Sequence, residues 1–96
     1  MKLTIRPAVI VEGRYDAARL ANLVDTMILT TDGFAIFKDK ARQNLFKQTA
    51  RARGLIVLTD SDGAGFVIRN RIRGSIPAEH LKHAYIPDVY GKESPA

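Results

Sequence analysis

The chain has 96 residues, 46% of them hydrophobic and 26% charged, with a net charge of +5 and no cysteine. That describes one globular domain with a single core, and it excludes a disulfide framework, a Cys-ligated zinc site, an iron–sulfur cluster and a thiol nucleophile. No apolar run approaches the roughly 20 residues of a membrane helix, and the start Met1-Lys2-Leu3-Thr4-Ile5-Arg6 has no apolar signal region, so a soluble cytoplasmic domain is expected.

Taken in chain order, the apolar pattern alternates between two kinds of segment. Ala8-Val9-Ile10-Val11 is a continuous β-branched run, which reads as a strand buried on both faces. Residues 16–24 carry Ala17, Leu20, Ala21 and Val24 at helical spacing, and Asp16 stands where an N-cap or a functional acid could be. Met27-Ile28-Leu29-Thr30 is a second, weaker strand. A helix follows over 39–52, with Ala41, Leu45, Thr49 and Ala52 on one stripe and Lys40, Asn44, Lys47 and Arg51 on another, a solvated face. Gly54 is expected to end it as a left-handed cap. Leu55-Ile56-Val57-Leu58 is the third strand, 64–73 the third helix, and Lys82-His83-Ala84-Tyr85-Ile86 a more polar fourth strand; 88–96 reads as loop. The succession of βαβ units predicts an α/β fold: one domain over 1–96, about four parallel strands, and helices on both faces of the sheet.

Ligands of such sheets bind beyond the carboxyl ends of the strands. Two buried strands end there in acids, Val11-Glu12-Gly13 and Leu58-Thr59-Asp60-Ser61-Asp62-Gly63. A single Asp at a strand end is commonly a helix cap or a turn residue. Two acidic spots, each following a buried strand, point instead to carboxylates converging on a cation. Hard oxygen donors suit magnesium, and manganese is an alternative. Glycine beside each acid lets a phosphate backbone come close.

These residues resemble a known family. Val9-Ile10-Val11-Glu12-Gly13-Arg14-Tyr15-Asp16 is similar to the first motif of the TOPRIM domain, a Rossmann-like fold, and Asp60-Ser61-Asp62-Gly63-Ala64-Gly65 is similar to its Asp-x-Asp motif. Within the family the chain most resembles the ribonuclease M-five branch, in Thr31-Asp32-Gly33-Phe34-Ala35, in Gly65 followed by Ile68-Arg69, and in Lys82-His83-Ala84-Tyr85-Ile86-Pro87. It departs from that branch at Ser61 and Phe66, and no counterpart of the branch's second domain is expected within these 96 residues. The resemblance implies magnesium-assisted phosphodiester hydrolysis of structured RNA, in the maturation of the 5S ribosomal RNA precursor, with a large-subunit ribosomal protein bound to that RNA. Asp60 and Asp62 would hold the metal, and Glu12 would be the general acid/base and a further metal ligand.

Arg69 is the first phosphate-contact candidate and Arg14 the second, joined by Arg73 and by Gly13, Gly33 and Gly63 lining the crevice. His80 and His83 are expected to be surface or structural residues, not a metal pair. Phe34 and Phe37 are expected as core or loop anchors, and Tyr85 as buried. Two alternatives stay open: a primase-like or generic TOPRIM domain acting on DNA, and a non-catalytic nucleic-acid-binding module.

Overall fold

The computed structural model describes residues 2–32, 35–60 and 63–86, with residues 60, 63, 64 and 86 described by their backbone alone. Among the described residues six strands and three helices follow one another: β1 (Leu3–Thr4), β2 (Ala8–Val11), α1 (Arg14–Ala21), β3 (Val24–Asp25), β4 (Ile28–Thr30), α2 (Lys40–Arg53), β5 (Leu55–Asp60), α3 (Gly63–Arg73) and β6 (Leu81–Ile86), with short 3-10 turns at Ala35–Lys38 and Ala78–His80. No helix among the described residues is long and apolar enough to cross a membrane.

Four strands form one parallel sheet in the order β4–β2–β5–β6. The continuous apolar runs occupy its centre, where both faces are covered, and every residue of β2 is buried. One face presents Ala8, Ile10, Leu55 and Val57 to Phe46 and Ala50 of α2 and to Ile68 and Ile72 of α3. Val9 and Val11, which alternate to the opposite face, are buried as well. The chain runs outward from β2 to β4 through α1, then back across β2 to β5 through α2. Right-handed crossovers in opposite directions put α1 on the face opposite α2 and α3. The strand order therefore reverses between β2 and β5, and that junction is the switch point where ligands of open α/β sheets bind.

The four long strands and three helices match the expected order. The differences have local causes. Helix α1 ends at Ala21, so Val24 belongs to β3, which pairs in parallel with β1 through Leu3↔Val24 and Thr4↔Asp25. Two-residue strands are too short to carry a periodicity. Gly13 is the N-cap of α1, and Asp16 lies one turn in, where its charge complements the positive end of the helix dipole. Asp39 caps α2 by accepting the Arg42 N–H at 3.0 Å. Gly54 has the expected positive φ, 83°, but its ψ of 159° is extended and not that of a left-handed helical cap. The segment 88–96, read as loop, lies outside the described residues.

Candidate functional site at the carboxyl edge of the sheet

Because β2 and β5 are neighbours, the two acidic spots meet at adjoining strand ends. Their pairing runs from Ala8↔Leu55 to Ile10↔Val57, so continuing it sets residue 12 level with residue 59, one step before Asp60. Glu12 is half-buried. Asp60 closes β5 and pairs with Ile86 of β6. Asp62 and Gly33 lie outside the described residues, and Gly63 opens α3. Two fully buried threonines underlie this edge, Thr31 just past β4 and Thr59 in β5. The Thr31 N–H donates to the Val11 carbonyl at 3.0 Å and its hydroxyl donates to the Glu12 carbonyl at 3.4 Å, which ties the Glu12 backbone to the neighbouring strand.

Among the described residues no group of three His, Cys, Asp or Glu could hold a metal, and a three-carboxylate centre depends on the side chains of both Asp60 and Asp62, which lie outside them. The expected donors are all carboxylate oxygens, the chemistry of a hard divalent cation. Gly13 adds an independent observation. Its backbone is extended, at φ −141° and ψ 175°, and a Cβ there would meet only Asp16 Oδ2 at 3.9 Å. The fold does not require glycine at this position, and its lack of a side chain leaves the approach to Glu12 open.

Arg69 does not stand where a phosphate contact was expected. It is 1% exposed, held between α3 and the last two strands of the sheet. Its Nε donates to Thr59 Oγ1 at 3.0 Å, its Nη1 to the Val57 carbonyl at 3.3 Å and to His83 Nδ1 at 2.9 Å, and its Nη2 to the Ala84 carbonyl. The guanidinium also lies 3.7 Å from the centroid of the Tyr85 ring. Burial is the main influence lowering its pKa, and the charges of Tyr85 and Glu12 act against it. An arginine so occupied braces the end of β5 from beneath. Periodicity gave Ile68 as an inward position but could not show that the next residue is inward too.

His83 accepts from Arg69 at Nδ1, which assigns it the neutral Nε2–H tautomer. Burial first, then Arg73 and Arg69, push its pKa below the usual imidazole range. It is a structural histidine, as expected, and His80 faces Glu79 at 3.9 Å. Arg73 is exposed at the far end of α3, about 15 Å along the helix from Gly63, with its guanidinium near Asn70 and His83. The geometry thus separates Arg73 from the acidic edge. Arg14 opens α1 there and is exposed.

A second polar cluster at this edge was not anticipated. Arg42 Nη1 donates to Asp32 Oδ2 at 2.8 Å and to the Thr30 carbonyl at 3.3 Å, while its Nε lies 3.7 Å from Asp39. Asp32 takes a left-handed φ of 51° at the end of β4. The hydrogen bond from Arg42 is the largest influence holding its carboxyl below the usual range, with further lowering by Arg42's charge, Thr30 and Arg14. Asp32 before glycine signals a turn, but Arg42 is ten residues away and only the fold brings it back.

The aromatic residues also differ from expectation. Tyr85, expected in the core, is 46% exposed, and Phe66 is 47% exposed. Phe37 packs against the core cluster, with the Arg71 guanidinium 4.7 Å from its ring centroid. Phe34 lies outside the described residues. A cavity of about 360 Å³ lined by Phe37, Gln43, Phe46 and Arg71 contains none of the candidate acids.

The chain is 39% identical over 87 residues to the ribonuclease M5 of Lactiplantibacillus plantarum, covering 91% of this chain and 44% of that protein. It is 36% identical over 90 residues to ribonuclease M5 of Bacillus subtilis, covering 94% and 46%. The chain spans about half the length of the curated relatives it matches. Among solved structures, a small TOPRIM domain protein from Bacillus stearothermophilus superposes with a TM-score of 0.70 at 26% identity, over 90% of this chain and 73% of that one. The family model described as the Toprim domain matches residues 7–89, so the chain, with its parallel sheet and its acid-bearing strand ends, belongs to the Toprim domain family.

Proposed function

We propose that this chain is the catalytic domain of a magnesium-dependent endoribonuclease that cleaves structured RNA, with the 5S ribosomal RNA precursor as substrate. The observation that carries this reading is the adjacency of β2 and β5, which sets Glu12 beside the Asp60 end of the sheet at its switch point. The open approach at Gly13 and the similarity to ribonuclease M5 proteins support it. Asp60 and Asp62, with Glu12, are the residues that would hold magnesium or manganese. When bound, such an ion neutralises charge on the scissile phosphate and activates the attacking oxygen. Glu12 is suited to move the proton at its carboxylate, because its backbone is anchored by Thr31 while its side chain stays half-exposed. Arg14, the first residue of α1 and exposed, would meet a phosphate arriving over Gly13. The setting is the cytoplasm, with a large-subunit ribosomal protein shaping the RNA.

The test is cleavage of the precursor RNA in magnesium, with and without that ribosomal protein, by the wild type and by Glu12→Gln. Specific cleavage by the wild type, lost in Glu12→Gln while RNA binding persists, is the expected result. Undiminished cleavage by Glu12→Gln overturns the catalytic assignment. Tight binding without cleavage in either condition favours a binding module.

A further inference from the structure

Two large aromatic side chains stand in solvent next to the acidic edge. Phe66 is in the first turn of α3, three residues after Gly63, and Tyr85 is the penultimate residue of β6, paired with Thr59 one step before Asp60. They are 47% and 46% exposed, and their rings meet edge to face with centroids 6.4 Å apart and planes at 65°. The Tyr85 ring is fixed from the protein side by the buried Arg69 guanidinium, 3.7 Å from its centroid. Since Arg69 is itself held by β5 and β6, the ring is pre-positioned and loses little freedom when something stacks on it. Exposed aromatic faces backed by arginine, in a chain of net charge +5, are what single-stranded nucleic acid uses for stacking.

We propose that Phe66 and Tyr85 form a stacking platform for one unpaired nucleobase of the strand whose phosphate lies at the Glu12–Asp60 edge. This rests on the nuclease reading above and extends it: the substrate is held by its backbone at the carboxylates and by a splayed-out base on the β6 side. Arg69 serves this platform from beneath.

The experiment measures fluorescence anisotropy of labelled single-stranded ribo-oligonucleotides in EDTA, so that no cleavage intervenes. Wild type, Phe66→Ala, Tyr85→Ala and Tyr85→Phe are compared, with a blunt RNA duplex and oligonucleotides carrying one abasic position. Each alanine variant is expected to bind single strands on the order of tenfold more weakly. Tyr85→Phe should stay near wild type and duplex binding should not change. One abasic position should weaken the wild type by a similar factor without further weakening the alanine variants. Phe66 is exposed on a helix, so Phe66→Ala decides the matter even if Tyr85→Ala fails to fold. The chain has no tryptophan, so Tyr85→Trp adds a single fluorophore that a stacked base should quench. Single-strand binding by folded alanine variants equal to wild type overturns the platform, as does an equal loss on duplex. A dimer lost in these variants with nucleic-acid binding unchanged overturns it too. Glu12-dependent cleavage together with unaffected aromatic variants sinks the platform alone. A wild type that binds no nucleic acid sinks the nuclease reading with it.

Discussion

Arg69 shows how a single side chain changes meaning once its surroundings are known. A guanidinium has five N–H donors and cannot shed its charge, so burying it is tolerable only if nearly all its donors are met. Here acceptors from β5, β6 and His83 meet them, with no carboxylate at ion-pair distance among the described side chains. Arg69→Met leaves those buried acceptors without a donor and should cost about 3 kcal/mol, a fall in Tm of roughly 10–20 °C in thermal denaturation. A variant that keeps its Tm would contradict this structural account of Arg69. His83 provides a pH test of the same cluster. Its folded pKa is depressed by burial and by the two arginines, while the unfolded imidazole takes a proton near 6.5. The unfolded state therefore gains the proton first as pH falls. Stability is full above about pH 6.5 and declines through the window down to the folded pKa. Urea midpoints at pH 7.5 and 5.5 should show this decline, and His83→Gln should flatten it.

At the scale of elements, the connection from α2 to β5 turns on one residue. Gly54 combines a φ of 83° with a ψ of 159°, a region populated almost only by glycine. A Cβ there would find ordinary room, 3.9 Å from Pro7 Cβ and 4.0 Å from the His80 carbonyl. The cost of Gly54→Ala is thus conformational and should be about 1–3 kcal/mol. Gly74, after α3, has no positive φ and a Cβ there would meet carbonyls at 3.5 and 3.6 Å. Gly74→Ala should change stability by no more than about 0.5 kcal/mol. Equal effects of the two substitutions in urea denaturation would contradict this account. The Asp39 cap at the other end of α2 should be worth about 1 kcal/mol on Asp39→Ala.

For the whole molecule, the controlling features are the parallel sheet with a reversal in strand order and a surplus of five positive charges. Binding of a polyanion should weaken with salt, each neutralised phosphate contributing about −0.7 to the slope of log K against log salt for single-stranded RNA. Arg14→Ala, at the acidic edge, should reduce that slope by about one such contact. Arg73→Ala, remote from the edge, should leave it unchanged. Titrations at several salt concentrations check both, and an equal effect of the two arginines would move the RNA path onto α3.

The order of strands and helices was legible in the sequence because buried β-branched runs and helical stripes are local patterns, and 8–11, 55–58 and 64–73 each lie within one element. The strand-end positions of Glu12 and Asp60 were legible for the same reason, since Glu12 directly follows one such run and Asp60 follows another after Thr59. The ribbon of β1 and β3 was not, because two residues carry no periodicity. Nor was the fate of Arg69, Tyr85 and Arg42. Burial of a cation, exposure of a ring and pairing of residues 32 and 42 depend on which element packs against which, and no spacing along the chain encodes that. Sequence placed the carboxylates at strand ends; tertiary structure made those ends adjacent, put a buried guanidinium beneath them and left two aromatic rings beside them in solvent, because only folding brings β2, β5, β6 and α3 to one edge.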